Sequence, residues 1–334
     1  MATDYNICLG TAGWGVWHSP DAGRSWMRHR APFPLNSRIQ ALVAHPTEAH
    51  TVFAGGDTGL FVSRDGGARW ERVGADGGAD GGANGGADGA LPTIWSLTID
   101  PVDPDILFAG TRPTAVYRSR DGGRHWEELA IGAARECSIG EAFVTSLVVD
   151  PDDHHTVWAG VEIDGVYRSR DGGDTWTHLE TGLYDPDIHA VALAATSPKR
   201  LYASTARDVF VSDNLGDTWQ SLEIREKWPL PYARGMAVKT DDPAVLFAGC
   251  GETTTGETGF VLRSRNFGET WDMLKLPSQP NATMWGLATH PAEPNRIVAF
   301  SLFGEVYVTE DAGASWRKIA REFGEIRAAA WVPN

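Results

Sequence analysis

The chain lacks most of the features that mark specialised protein classes. It has three cysteines in 334 residues, Cys8, Cys137 and Cys250. They are too few, too widely spaced and odd in number, so no full disulfide framework is expected. There is no run of lysine and arginine, and 29 basic residues stand against 44 acidic ones, for a formal net charge of −15. An acidic surface repels phosphate backbones, so nucleic acid is not an expected partner. Nothing approaches eighteen consecutive apolar residues, so no membrane span is expected. The opening Met-Ala-Thr-Asp-Tyr-Asn has no basic segment followed by an apolar stretch. No secretory signal is read there, and the expected location is the cytoplasm.

What the chain has in quantity is Trp, Gly and Pro, at 14, 38 and 19 residues. Many aromatic anchors with turn formers throughout point to short strands joined by tight turns. The hydrophobic share of 42% is enough for a sizeable core.

One octapeptide recurs, Ser/Thr-x-Asp/Asn-x-Gly-x-x-Trp. Its copies are Ser19-Pro-Asp21-Ala-Gly23-Arg-Ser-Trp26, Ser63 to Trp70 around Asp65, Ser119 to Trp126 around Asp121, and Ser169 to Trp176 around Asp171. Ser212 to Trp219 around Asn214, Ser264 to Trp271 around Asn266, and Thr309 to Trp316 around Asp311 follow. Seven copies lie 43 to 56 residues apart. Each suits a hairpin. The hydroxyl residue ends a strand, the Asp or Asn accepts backbone N–H bonds, Gly takes a positive φ, and Trp opens the next strand and buries its face.

Around each box the same four strands are readable. In the second unit they are Ile39 to His45, Thr51 to Ala54, Leu60 to Ser63 and Trp70 to Val73. Four strands in about 45 residues make one propeller blade. The first unit begins at its second strand, Tyr5 to Gly10, and the chain ends on a spare innermost strand, Ile326 to Pro333. The expected fold is therefore all-β, a single seven-bladed propeller of four antiparallel strands per blade. Its C-terminal strand closes the ring onto the N-terminal blade and removes exposed edges. The expected blades are 326–334 with 5–30, then 38–74, 93–130, 143–180, 187–223, 233–276 and 283–320.

The octapeptides resemble the Asp-box, or BNR repeat, over essentially the whole chain. That family includes six-bladed sialidases, two-domain xyloglucan-active glycoside hydrolases, ten-bladed sortilin lumenal domains and the photosystem II assembly factors. A lone seven-bladed ring is similar in layout to the last group, and to bacterial propellers labelled BNR-repeat glycosyl hydrolases. The resemblance implies a structural role for Asp21, Asp65, Asp121, Asp171, Asn214, Asn266 and Asp311, on the face opposite the family's active sites. The Phe/Tyr-Arg-Ile-Pro segment of the sialidases is absent, so sialidase activity is not expected.

A ligand site is expected on the face opposite the boxes. Aligned inner strands place Gln40, Trp95, Thr145, His189, Arg234, Trp285 and Arg327 at the channel mouth, each followed by a small residue, from Ala41 to Ala328. Two arginines, two tryptophans and a histidine suit an anionic or carbohydrate-like ligand; a water-filled polar channel is the plainer alternative. Asp187 and His189 face the same way and read as a base–orienter pair, as two metal ligands, or as a hydrogen-bonded structural histidine. No second histidine stands at metal-ligand spacing, and neither metal nor cofactor is expected.

The loop Arg225 to Arg234 offers Trp228 and Tyr232 for stacking, or simply packs its own aromatics. Candidate carboxylates on this face are Glu136 with Glu141, Glu162 with Asp164, and Asp208, Glu252, Glu257 and Glu325, as catalytic groups or as solvated loop charges. Cys137 is the most exposed-looking thiol, without an adjoining histidine. The Ala-Asp/Asn-Gly-Gly repeats of Ala75 to Ala90 read as a flexible segment, or as a lid. Two functions follow: a module binding a small ligand or a protein partner at the mouth, or an enzyme using His189, Asp187, Arg234 and Arg327 with a nearby carboxylate.

Overall fold

Each octapeptide forms the turn that its residue order dictates. In the first, the Gly23 N–H donates to Ser19 Oγ at 2.8 Å and the Ser25 N–H donates to Asp21 Oδ1 at 2.8 Å. The Trp26 indole N–H donates to the Gly23 carbonyl at 3.0 Å. The hydroxyl-to-glycine and Asp/Asn-to-backbone bonds recur in the other six copies. The turn thus satisfies its own buried polar groups, as a buried turn must. The tryptophan sits just ahead of the fourth strand rather than opening it, since that strand in the second unit is Glu71–Arg72 and in the third Glu127–Leu129.

The computed structural model describes residues 4–74, 91–138 and 140–334. The stretch 75–90, read above as a flexible segment or lid, lies outside the described residues. The chain is an all-β, seven-bladed propeller with four antiparallel strands in each blade. Blade one runs from the outside inwards as Met27–Arg28, Gly15–Ser19, Tyr5–Thr11 and the C-terminal strand Ile326–Pro333. The pairing of Tyr5–Thr11 with Ile326–Pro333, from Tyr5↔Pro333 onwards, closes the ring. The inner strands of the other blades are Ile39–Ala44, Thr93–Ile99, Val144–Val149, Ile188–Ala194, Tyr232–Lys239 and Met284–Ala288. Each touches the next around the channel.

The core is divided among the blade-to-blade contacts. One cluster joins Val16 and Ala330 of blade one to Ile39, Val52 and Phe61 of blade two, with Trp70 sealing its outer end. Equivalent clusters hold Trp126, Trp176, Trp219, Trp271, Trp316 and Trp26. The box glycine lies on the same boundary. A Cβ at Gly216, where φ is +97°, would meet Leu179 Cδ1 of the preceding blade at 2.5 Å, and one at Gly23 would meet Ile319 Cδ1 at 2.3 Å.

Buried arginines tie the turns across blades. Arg168 donates from Nη1 to the Leu215 carbonyl at 2.8 Å, and its Nη2 pairs with Asp217 Oδ1 at 2.8 Å. The Arg263 Nη1 donates to the Ala312 carbonyl at 2.7 Å.

Two glycines at positive φ separate contact from conformation. Gly132 (φ +75°) has open space where its Cβ would go, whereas Gly216 has Leu179. Gly132→Ala should cost about 1 kcal/mol, the price of φ alone, and Gly216→Ala about 2–4 kcal/mol. Denaturant unfolding of the two variants checks this. Equal losses would show that the contact between blades carries no weight.

Candidate functional site

The inner strands explain how seven side chains reach one place. In each blade the pairing of the first and second strands carries one extra residue on the inner strand. Ile39 pairs with Gly56 and Ala41 with Gly55, leaving Gln40 out of the ladder. The same skip leaves out Trp95, Thr145, His189, Trp285 and Arg327. In blade six Arg234 and Gly235 lie between the paired Ala233 and Met236, against a single residue opposite. A bulge bends a strand and re-aims a side chain. Seven bulges at one level re-aim seven side chains into the channel.

The small residues that follow let the strands meet there. A Cβ at Gly235 would lie 2.8 Å from Gly286 Cα. The Ser96 Oγ instead donates across to the Val144 carbonyl at 2.8 Å.

All seven ring residues line one cavity of about 180 Å³, with Met236, Leu287 and Phe300 also in its wall. It adjoins a cleft of about 750 Å³, and the two share Gln40, Trp95 and Arg327. That cleft also gathers Trp14, Arg28, Leu35, Arg38 and Arg112. Trp14 and Leu35 are exposed, and the Arg28 guanidinium covers the Trp14 ring at 4.5 Å.

The two mouth arginines share one aromatic support. Arg234 lies over the Trp285 ring at 4.0 Å and Arg327 at 4.9 Å. Arg327 pairs with Glu325. Burial lowers the Arg327 guanidinium from its ordinary value, and Arg234 and Arg38 lower it further against the pull of Glu325. The downward shift reports that other cations lie near Arg327, which Glu325 partly offsets. Arg234 is 9% exposed, and among the described residues its guanidinium has neither a hydrogen bond nor an ion pair. A buried guanidinium with free donors is chemically able to take an anion.

His189 occupies its ring position, but not as a free base. Its Nδ1 donates to the Ala233 carbonyl at 2.6 Å, and its ring packs on Tyr232 at 4.7 Å. Nε2 stands 3.6 Å from Asp187 Oδ1, beyond hydrogen-bond length. Burial, then the nearby Arg234, lowers its pKa, so the ring is neutral. With its side chain 1% exposed, it is a wall residue rather than a solvent-facing base.

The structure also rearranges the carboxylates. Asp164 is engaged structurally, accepting from the Ala134 N–H of the preceding loop at 2.7 Å and from the Tyr167 hydroxyl of its own hairpin at 2.8 Å. Glu162, expected beside it, instead interacts with Asp187 across the blade boundary. Burial and then Asp187 raise Glu162 to about 7, while Arg234 and Arg112 pull the other way. Asp187 itself is lowered despite its burial, by His189, Arg234 and Arg207. Glu162 Oε2 and Asp187 Oδ1 are buried without a hydrogen-bond partner.

The other candidates are elsewhere engaged or merely exposed. Asp208 accepts from the Val209 and Ile224 N–H groups and from Ser221 and Tyr184. Glu136 and Glu141 face each other on an exposed two-stranded ribbon that also carries Cys137. Glu252 accepts from the Glu257 N–H at 2.9 Å. Trp228 is not a stacking platform: it is 6% exposed and packs edge-on against Trp271 at 5.0 Å in the core. Tyr232 is buried too, its hydroxyl bonded to Thr254 at 3.0 Å.

Sequence reasoning missed Arg112 and Arg38. Arg112 ends the strand Leu107–Arg112 just ahead of Pro113, lies over the Trp95 and Phe143 rings at 5.8 and 5.5 Å, and stands 3.6 Å from Glu141 Oε2. Arg38 stands two residues before Gln40, immediately ahead of the strand Ile39–Ala44, just outside the aligned strands.

Comparison with known proteins shows the same fold. No protein-family model matches the chain. A 70-residue segment is 39% identical to the uncharacterized protein YkuO of Bacillus subtilis, covering 21% of this chain and 22% of that one. A GH74 enzyme of Niastella koreensis superposes with a TM-score of 0.66 at 16% identity, over 95% of this chain and 46% of its own. YCF48 bound to a D1 peptide gives a TM-score of 0.59 at 16% identity, over 89% and 85%. YCF48 from Cyanidioschyzon merolae gives 0.57 at 15%, over 87% and 89%. The chain thus spans less than half of the GH74 enzyme and about a fifth of YkuO, and these similarities speak to the fold alone.

The Glu162 carboxyl leads to a pH effect. Folding raises it from 4.5 to about 7, so its stabilising contribution is full below pH 4.5 and is lost as pH rises through about 7. Between those values the melting temperature of the wild type should fall relative to Glu162→Gln. A constant difference across that window would contradict the placement of this side chain.

Proposed function

We propose that the chain is a binding propeller whose site is the channel mouth on the face opposite the octapeptides, and that its ligand is a small anion carrying a carboxylate. The observation that carries this reading is Arg234: buried, seated on Trp285 at 4.0 Å, and with neither a hydrogen bond nor an ion pair to its guanidinium among the described residues. A buried charge without a partner is costly in the absence of a ligand. Arg327, Arg38 and Arg112 on the same side add attraction, and Gln40 and Thr145 supply neutral polar contacts.

Binding is favoured over turnover because the one histidine at the mouth is locked into the wall. The YCF48 structure with a D1 peptide gives a precedent for a propeller of this fold holding a partner. The octapeptides are read as Asp boxes with a structural role, since their side chains close their own turns.

Titration calorimetry tests the reading with acetate, propionate, glucuronate and citrate, and with glucose as the neutral control. Carboxylates should bind the wild type and glucose should not. Arg234→Ala should weaken carboxylate binding at least tenfold, about 1.4 kcal/mol. Unchanged affinity in Arg234→Ala, or no binding of any carboxylate to the wild type, would overturn the proposal.

A further inference from the structure

The cations of the mouth that lack an acidic partner are divided between its cavity and the adjoining cleft. Arg327 and Arg112 already have partners, Glu325 and Glu141. Among the described residues, those without an ion pair are Arg234, which lines the cavity but not the cleft, and Arg28 and Arg38, which line the cleft but not the cavity. Arg28 is held much as Arg234 is. Each guanidinium is seated on an indole, Arg234 on Trp285 at 4.0 Å and Arg28 on Trp14 at 4.5 Å. The Arg28 Nε also donates to the Trp14 carbonyl at 2.9 Å. Its terminal nitrogens have neither a hydrogen bond nor an ion pair among the described residues. The fork is therefore held in place with its outer edge free, the geometry that takes a carboxylate through two parallel bonds.

We propose, building on the carboxylate-binding reading above, that the ligand is an elongated dicarboxylate, one carboxylate on Arg234 in the cavity and the other on Arg28 in the cleft. Arg38 adds positive charge at the outer end. The two spaces are continuous, because Gln40, Trp95 and Arg327 line both. Of these three, only Arg327 is charged, and Glu325 offsets it, so the shared wall suits a neutral chain between the acid groups. Size agrees. The cavity, about 180 Å³, lies below the ~300 Å³ at which ligand pockets begin, whereas the cleft, about 750 Å³, lies within their usual range. A molecule with one acid group in the cavity therefore has its body in the cleft. A monocarboxylate leaves Arg28 unanswered. A compact dianion, with both charges in the cavity, meets Arg234 and an arginine that Glu325 already pairs.

The test is calorimetry with straight-chain diacids, each against the monoacid of equal length: succinate with butyrate, glutarate with valerate, adipate with hexanoate, and suberate with octanoate. Burial of the chain favours both members of a pair, so their ratio isolates the second carboxylate. Once the first carboxylate is bound, the second binds intramolecularly. At the length that spans the two arginines the diacid should therefore bind about tenfold tighter than its monoacid. In Arg28→Gln that advantage should disappear, whereas in Arg234→Ala both members of every pair should weaken. Continued binding of the monoacids shows that Arg28→Gln is folded.

A second readout is salt. Added sodium chloride should weaken the best diacid more steeply than its monoacid, because two charges rather than one are screened. Diacids that bind no tighter than their monoacids at any length, or that share their salt dependence, would overturn the dicarboxylate and leave the carboxylate site standing. An advantage unchanged in Arg28→Gln would overturn the placement of the second carboxylate. No binding of either class would overturn both readings.

Discussion

The structure depends on a contact made seven times, in which the glycine of one blade's turn is pressed against a side chain of the blade before it. Leu60, Leu129, Leu179, Leu222, Leu274 and Ile319 fill this role, and Cys8 does so for Gly67. The glycine is needed twice over, for its positive φ and because any Cβ would occupy the space that the neighbour fills. The adjacent tryptophan then seals the same boundary. Because every blade both gives and receives this contact, no blade is an end, and the pairing of Tyr5–Thr11 with Ile326–Pro333 turns the row into a ring.

That arrangement leaves the two faces with different duties. On the octapeptide face, polar groups are consumed by the turns and by cross-blade arginines such as Arg168 and Arg263. On the opposite face, seven bulges push seven side chains out of the ladder into the channel. Rigidity on one face thus pre-organises the other, which is what a binding site requires of its scaffold. The electrostatics divide as well. The chain carries a net charge of −15, yet Arg28, Arg38, Arg112, Arg234 and Arg327 gather around the mouth and its adjoining cleft. Glu325 and Glu141 pair with Arg327 and Arg112, so among the described residues the cations there without an ion pair are Arg28, Arg38 and Arg234, and that excess draws small anions toward the mouth.

Much of this is legible in the sequence, for a definite reason. The octapeptide is local, so its spacing reveals the blades, and aligning the strands that precede it reveals the ring residues. What escapes is set across blade boundaries. Glu162 and Asp187 belong to different blades, and nothing in their spacing indicates that they act on each other. Asp164, two residues from Glu162, reads as its partner until the Ala134 N–H and the Tyr167 hydroxyl claim it. Trp228 looks like an exposed platform in a proline-stiffened loop, yet Trp271, from the next octapeptide, draws it into the core. The bulges too are visible only once the second strand supplies the register.

The tryptophans offer the most direct test of the account. Seven of the 14 belong to the octapeptides, while Trp95 and Trp285 line the mouth. Their indole N–H signals in a nitrogen–proton correlation spectrum therefore report on both faces at once. During a titration with sodium acetate, the signals of Trp285 and Trp95 should move saturably while those of the octapeptide tryptophans stay in place. Movement of the octapeptide indoles alone, or no saturable movement at the mouth, would contradict the assignment of function to that face.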